Sequence, residues 1–183
     1  MSMSFMECLS GRRSVRKYKA DKIPDDIIKK IITTASYAPS WKNSQTTRYI
    51  IVEDEALKNE LAQNCVMGFA LNRDNIMSAP ALILVTTIKN RSGYERDGSF
   101  STGKGTHWES FDAGIATQTL CLAAYAEGLG TVVMGIFDED KTIQTAKIPE
   151  DQKLSAMVAI GYPDETPPMS KRKSADELMD CRR

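Results

Sequence analysis

Histidine is almost absent: His107 is the only one in 183 residues. Metal sites built from several imidazoles are excluded, and a serine or cysteine triad would rest on that single ring. Long apolar runs are missing as well. The longest, Pro80 to Thr87, falls far short of the roughly 20 residues that a membrane span requires. At the start, where Glu7 precedes Arg12 and Arg13, no apolar stretch follows positive charge, so no secretory signal is read and a cytoplasmic protein is expected. Cys8, Cys65, Cys121 and Cys181 stand singly, without the close pairs of zinc sites, redox dithiols or small disulfide frameworks. They read as reduced thiols. Net charge is the last absence. Twenty-four basic and twenty-four acidic side chains cancel, which argues against nucleic acid or a membrane surface as partner.

What is present suits one folded domain over residues 1–183. Hydrophobic residues make up 42% and charged residues 26%, and a chain of this length buries roughly 70% of its unfolded surface. Pro24 followed by Ile27, Ile28, Ile31, Ile32 and Ala35 has helical spacing, ending before Pro39. Arg48 to Glu53 is short and β-branched, a strand, after which Asp54 can cap a helix carrying Leu57, Leu61 and Cys65. Another helix is expected from Phe69 to Met77, and Ala81 to Thr87 reads as a strand buried on both faces. Lys89 to Gly105 is polar and glycine-rich, too long for a plain connector, and suggests a mobile loop or lid.

Asp112 to Glu127, with small and apolar residues around most of its circumference, predicts a central helix buried on most sides. Gly128 and Gly130 end it. A strand at Thr131 to Met134, a short helix from Asp138 toward Lys147 and a strand at Leu154 to Gly161 complete the pattern. The tail from Pro163 to Arg183 has too little apolar content to fold alone. Helices and strands mix without strict alternation, so the class is α+β, with helices around one sheet.

Two clusters of positive charge stand out, Arg12, Arg13, Arg16, Lys17 and Lys19 near one end and Lys171, Arg172 and Lys173 near the other. Guanidiniums around the Ser14 hydroxyl offer fork-shaped, charge-assisted donors suited to a phosphate; a solvated basic turn is the plainer alternative. Ala38 to Gln45, with Ser40, Asn43 and Gln45, brings hydroxyl and amide groups that can read the edge of a heterocycle, or simply form a turn. Gly98 to Gly105 imitates a phosphate-binding P-loop, but Gly105 replaces the magnesium-binding hydroxyl and no strand leads into it. His107 beside Trp108 reads as a local cap or packing pair.

Taken in order, these segments resemble the flavin-dependent nitroreductase family. The resemblance rests on Arg12-Arg13-Ser14-Val15-Arg16, on Ala38-Pro39-Ser40 with Asn43 and Gln45, and on Asp112-Ala113-Gly114 with Gln118. Leu129-Gly130, Met134-Gly135, Ile160-Gly161-Tyr162-Pro163 and Arg172-Lys173 extend it over nearly the whole chain. It implies a mostly antiparallel sheet flanked by helices and a homodimer holding two FMN molecules at its interface. Residues 164–183 would embrace the partner subunit. Arg12, Ser14 and Arg16, with Arg13 beside them, would meet the ribityl phosphate or the ring, and Arg172 would close on the phosphate. Ser40, Asn43 and Gln45 would approach the flavin from the partner, and Val133, Met134 and Gly135 would line the ring's reactive edge. Asn72 fits a place where members contact the pyrimidine part of the ring, but Asn75 stands where several have lysine, and Met134 where some have glutamate.

The activity so implied is an oxidoreductase in which NADH or NADPH reduces FMN and a small acceptor, such as a nitroaromatic, quinone or enone, is then reduced by a ping-pong mechanism. No side chain acts as nucleophile. The alternative is a flavin-binding sensor or storage protein without efficient turnover.

Overall fold

A computed structural model describes residues 3–182; Arg183, the last residue of the expected tail, and Met1 and Ser2 lie outside the described residues. Four strands, β1 (Thr47–Val52), β2 (Ala81–Ile88), β3 (Gly130–Met134) and β4 (Gln152–Gly161), form one sheet in the order β1-β2-β4-β3. Every pairing is antiparallel: Val52 faces Leu82, Ala81 faces Ile160, and Gly130 faces Gly161. In β2 all residues but Ile88 are buried, because both sheet faces are covered. The expected α+β class and mostly antiparallel sheet are therefore what the chain forms.

Alternation along the strands divides the core into two layers. Val52, Leu82, Leu84, Met134 and Met157 pack with Leu61, Ala62 and Ile76 on one face. Those three come from α3 (Glu55–Asn64) and α4 (Ala70–Ser78), and α6 (Glu139–Thr145) lies against α3 and β4 on that side. Ala81, Ile83, Val85, Val158 and Ile160 pack on the other face against α2 (Asp25–Ala35) and α5 (His107–Ala126). Caps set the helix starts. Asp54 accepts the Leu57 N–H at 2.8 Å and Asp138 that of Lys141 at 3.0 Å, each satisfying an end donor that the helix itself leaves unpaired.

Helix α5 differs from its expected form in two respects. It begins at His107 because Glu109, though charged, is buried: its carboxylate accepts the Asn90 N–H at 2.7 Å and pairs with Lys153. A tertiary ion pair thus supports a first turn that composition did not mark. In the single chain, moreover, the helix keeps an open stripe of Ser110, Phe111, Gly114 and Gln118, with Phe111 55% exposed.

Helix α1 (Phe5–Gly11) was not anticipated, although Ser4 and Glu7 form a reciprocal capping box at its start. The tail contains only a one-turn helix, α7 (Ala175–Leu178), and every described residue beyond Pro167 is exposed. The 89–105 loop carries internal contacts. Ser92 and Gly93 are buried, Tyr94 bridges Phe100, and their rings lie 4.8 Å apart. The four cysteines are unpaired, and among the described residues no helix is long and apolar enough to cross a membrane.

Candidate active site

The arginine segment is laid along the sheet edge by close approaches. Val15 donates its N–H to Thr131 O at 3.0 Å, and Ser14 pairs with Thr131 as an isolated bridge beside β3. A Cβ on Gly130 would fall 2.6 Å from Val15, and one on Gly11 would fall 2.4 Å from the Tyr125 hydroxyl. Glycine at these two positions lets the segment lie against β3 and α5. The result brings Arg12, Arg13 and Arg172 around one cavity of about 390 Å³, with Leu9, Ser10, Gln118 and Met169. No carboxylate of the described residues lies within ion-pairing distance of these arginines. Arg13 bends back to donate to Ser10 O and Arg12 O, at 2.5 and 2.9 Å.

Ser14 and Arg16 do not line that cavity. Arg16 lies on the α4 side, where the Ser78 hydroxyl donates to its carbonyl at 3.1 Å. On the same helix Asn72 and Asn75 are buried, and the Asn72 amide donates to Ile136 O at 2.9 Å, joining α4 to the segment that follows β3. Of the residues expected at the ring edge, Val133 and Gly135 are exposed, whereas Met134 is 3% exposed in the core. Only the Met134 backbone is therefore available to a ligand. Neither Gly114 nor Gly135 meets any atom within 4 Å of a Cβ position. Glycine inside an exposed helix costs about 1 kcal/mol relative to alanine, and nothing in the single chain requires it at Gly114. The open space above Gly114 continues into a cavity of about 350 Å³ that it lines with Ser110, Gln118, Val133 and Ser155.

Ser40, Asn43 and Gln45 come together in a tight turn. Ser40 Oγ accepts the Gln45 N–H at 2.9 Å, and the Gln45 amide donates to Asn43 Oδ1 at 3.3 Å. Lys42, Asn43 and Gln45 all have positive φ, at 46°, 54° and 48°, a left-handed conformation unfavourable to side chains other than glycine, with asparagine the best tolerated. Buried Asp112 holds this turn: its Oδ2 accepts the Trp41 N–H at 3.0 Å and the Ser92 hydroxyl at 2.7 Å. Trp41 rests on Trp108 with ring centroids 4.7 Å apart, and Lys42 reaches Glu95 at 3.0 Å. Sequence reasoning passed over Asp112 as a support because its two partners are 71 and 20 residues away.

Ser40 and Gln45 line a cavity between α2, β1 and α5, separate from that of Arg12 and Arg172. One chain thus presents two half-sites. The first is cationic, with unpaired guanidiniums suited to the phosphate of FMN; the second carries neutral donors and acceptors suited to a heterocyclic edge. The residues present therefore fit that cofactor.

The family model for the nitroreductase family matches residues 9–162. The chain belongs to the nitroreductase family. An Archaeoglobus fulgidus protein assigned as an NADH dehydrogenase or NAD(P)H nitroreductase is 30% identical over 166 residues, covering 87% of each chain. The crystal structure of a nitroreductase family protein from Clostridium novyi NT matches at 29% identity and a TM-score of 0.77, over 91% of this chain and 90% of that one. The NADPH:FMN oxidoreductase of Vibrio harveyi, solved with NAD+, shares the fold with a TM-score of 0.81 at 24% identity, over 97% of this chain and 76% of that one. As a member of this family the protein is an FMN-dependent oxidoreductase of the NAD(P)H-linked kind.

Proposed function

We propose that the protein is a homodimeric NAD(P)H oxidoreductase that reduces a small flat acceptor, such as a nitroaromatic, quinone or enone, by a ping-pong mechanism. The observation that carries this reading is the convergence of Arg12, Arg13 and Arg172 on one cavity with no acidic partner among the described residues. When bound, FMN would supply the hydride chemistry, taking two electrons from NADH or NADPH and giving them to the acceptor.

The chain's own residues bind and orient. Arg12 and Arg172 would hold the phosphate through charge-assisted hydrogen bonds, and Arg13 would stand beside them. Ser14 and Arg16 would extend the contact toward α4, where Asn72 is held in place by its bond to Ile136 O. Val133, the Met134 backbone and Gly135 would meet the ring edge, the open Cβ side of Gly135 allowing close approach. Ser40, Asn43 and Gln45 would contribute from the partner subunit, because they line a different cavity from the arginines of their own chain. The tail, residues 164–183 of the sequence, whose described residues beyond Pro167 are exposed, would gain its burial on the partner. Neutral Asn75 stands where the family resemblance implies a lysine.

The test is a spectrum of the purified protein, followed by titration with NADH and NADPH. The expected preparation is yellow and bleaches within seconds of adding one of them. A yellow protein that neither nucleotide bleaches would establish the sensor or storage alternative, and a colourless one that takes up no FMN would refute both.

A further inference from the structure

The tail leaves the sheet alongside the arginine segment, and the two are laced together where they part. Lys19 donates its N–H to Tyr162 O at 2.9 Å, Asp164 donates to Lys17 O at 2.9 Å, and Tyr18 bridges Pro163. Beside this short ladder stands Glu165. Its Oε1 accepts the backbone N–H of Arg16 at 2.6 Å and that of Lys17 at 3.3 Å. On the other side of the same residue, the Ser78 hydroxyl from α4 donates to Arg16 O at 3.1 Å. The Arg16 peptide groups are thus gripped from the tail at the N–H and from α4 at the C=O. Its guanidinium stays exposed and, among the described residues, is bonded only to Ser14 O at 3.3 Å.

Two adjacent N–H groups aimed at one oxygen make a small anion-binding concavity, and here the chain fills it with its own carboxylate. A phosphate is left to the guanidiniums. Glu165 is also placed at a boundary, since it is partly buried while every described residue beyond Pro167 is exposed. Its contact reaches across 149 residues, from the root of the tail to the segment bearing three of the candidate phosphate-binding groups.

We infer that Glu165 is a positioning residue for the cofactor site, fixing the Arg16 end of the arginine segment to the root of the tail so that the guanidiniums are presented to the phosphate. The inference rests on the FMN reading given above. It separates two roles within one cluster, in which arginine side chains bind the cofactor and a glutamate that never touches it holds their backbone in register. Since the same glutamate stands at the root of the tail, the position of the tail and the geometry of the phosphate site are set together.

The test uses the full-length protein freed of flavin, with FMN and riboflavin titrated separately by quenching of flavin fluorescence. Glu165→Ala should raise the FMN dissociation constant at least tenfold while changing that of riboflavin less than threefold. Glu165→Gln retains a carbonyl oxygen for the two N–H groups and should stay within threefold of the parent for both ligands. Should Glu165→Ala fail to fold, Glu165→Asp serves instead; it keeps the charge but shortens the reach, and should weaken FMN at least threefold and leave riboflavin unchanged. FMN affinity unchanged in Glu165→Ala, or in Glu165→Asp where that variant stands in for it, would overturn the inference. Equal weakening of FMN and riboflavin would also overturn it by assigning Glu165 a general structural role, and tighter FMN binding would make the carboxylate a competitor of the phosphate. A parent protein that binds neither flavin refutes the FMN reading itself, before any variant is compared, and the inference falls with it.

Discussion

Replacing Asp112 with alanine tests how the 40–45 turn is held. The carboxylate is 3% exposed, and the Ser92 that donates to it is fully buried. Its Oδ2 receives two hydrogen bonds, from the Trp41 N–H and the Ser92 hydroxyl. Bonds to a charged group contribute about 1.5–3 kcal/mol each, and a buried donor left unpaired costs about 1–3 kcal/mol. These are two views of one loss and are not summed, so the two bonds put the cost at about 3–6 kcal/mol. At about 2–4 °C per kcal/mol for a chain of this size, Tm should fall by roughly 6–24 °C. The turn carries a conformational cost of its own, about 1 kcal/mol or more for each unfavourable left-handed residue, which is met by Lys42 and Gln45. Once the Trp41 N–H is released, the turn should relax toward ordinary φ, and amide exchange should accelerate selectively at residues 41–45. Asparagine can direct its amide oxygen at both donors and should cost only about 1 kcal/mol. Thermal denaturation and hydrogen exchange of the three proteins decide the matter. If alanine lowers stability by less than about 1 kcal/mol, or the turn exchanges no faster, Asp112 does not hold the turn.

Gly130→Ala would set a methyl group 2.6 Å from both Cβ and Cγ2 of Val15, and since neither atom is the free end of a flexible side chain, the overpacking should cost about 1–3 kcal/mol and weaken FMN more than riboflavin; an unchanged Tm would show that the strand and the arginine segment can separate freely. For the loop, the Glu95 carboxyl is held below its usual range first by the Ser101 hydroxyl and then by Lys42. A depressed carboxyl stabilises above its unfolded pKa and ceases to do so as pH falls through the folded value, so the Lys42 contact should open only as pH falls below the ordinary glutamate pKa of about 4.3. The tryptophan fluorescence of Trp41 and Trp108 should report a step that Glu95→Gln lacks, and identical titrations would exclude the contact as its origin.

Most of the frame was legible because its signals are local. Pro24 and the isoleucines of α2, the Asp54 and Asp138 caps, and the apolar run Ala81 to Val85 that opens β2 each declare an element within about ten residues. Helix α1 carried a local signal too, Ser4 and Glu7 at capping-box spacing, but its exposed Phe5, Met6 and Leu9 gave no buried stripe to confirm it. What was not legible depends on distant partners. The first turn of α5 follows from Glu109 meeting Lys153, 44 positions apart (153 minus 109), and the strained turn at Lys42 follows from Asp112. The candidate site, with its expected division between the arginines of one chain and Ser40, Asn43 and Gln45 of the other, was read from its family pattern, whereas the supports that hold each half were not. That Met134 turns its side chain into the core while Val133 turns outward follows from the alternation of a strand, once β3 is placed in the sheet.

The division of the site has a consequence for how the protein holds its cofactor. The basic half is assembled from the two ends of one chain, Arg12 and Arg13 with Arg172. Its tail end has almost no burial of its own, since Met169, Leu178 and Met179 are 63%, 72% and 60% exposed. The neutral half, at Ser40 and Gln45, is braced within the fold, where Asp112 and Trp108 contact the Trp41 of the same turn, and opens on another cavity. A ligand bridging the two halves of different subunits would bind the folded pair and not the separated chains, and would stabilise the pair by mass action. The same ligand would oppose the entropy of ordering each tail. On the proposed reading, cofactor binding and association are therefore one equilibrium. On the same reading, the apolar side chains left exposed on α1, on the open stripe of α5 and along the tail would be covered by this association.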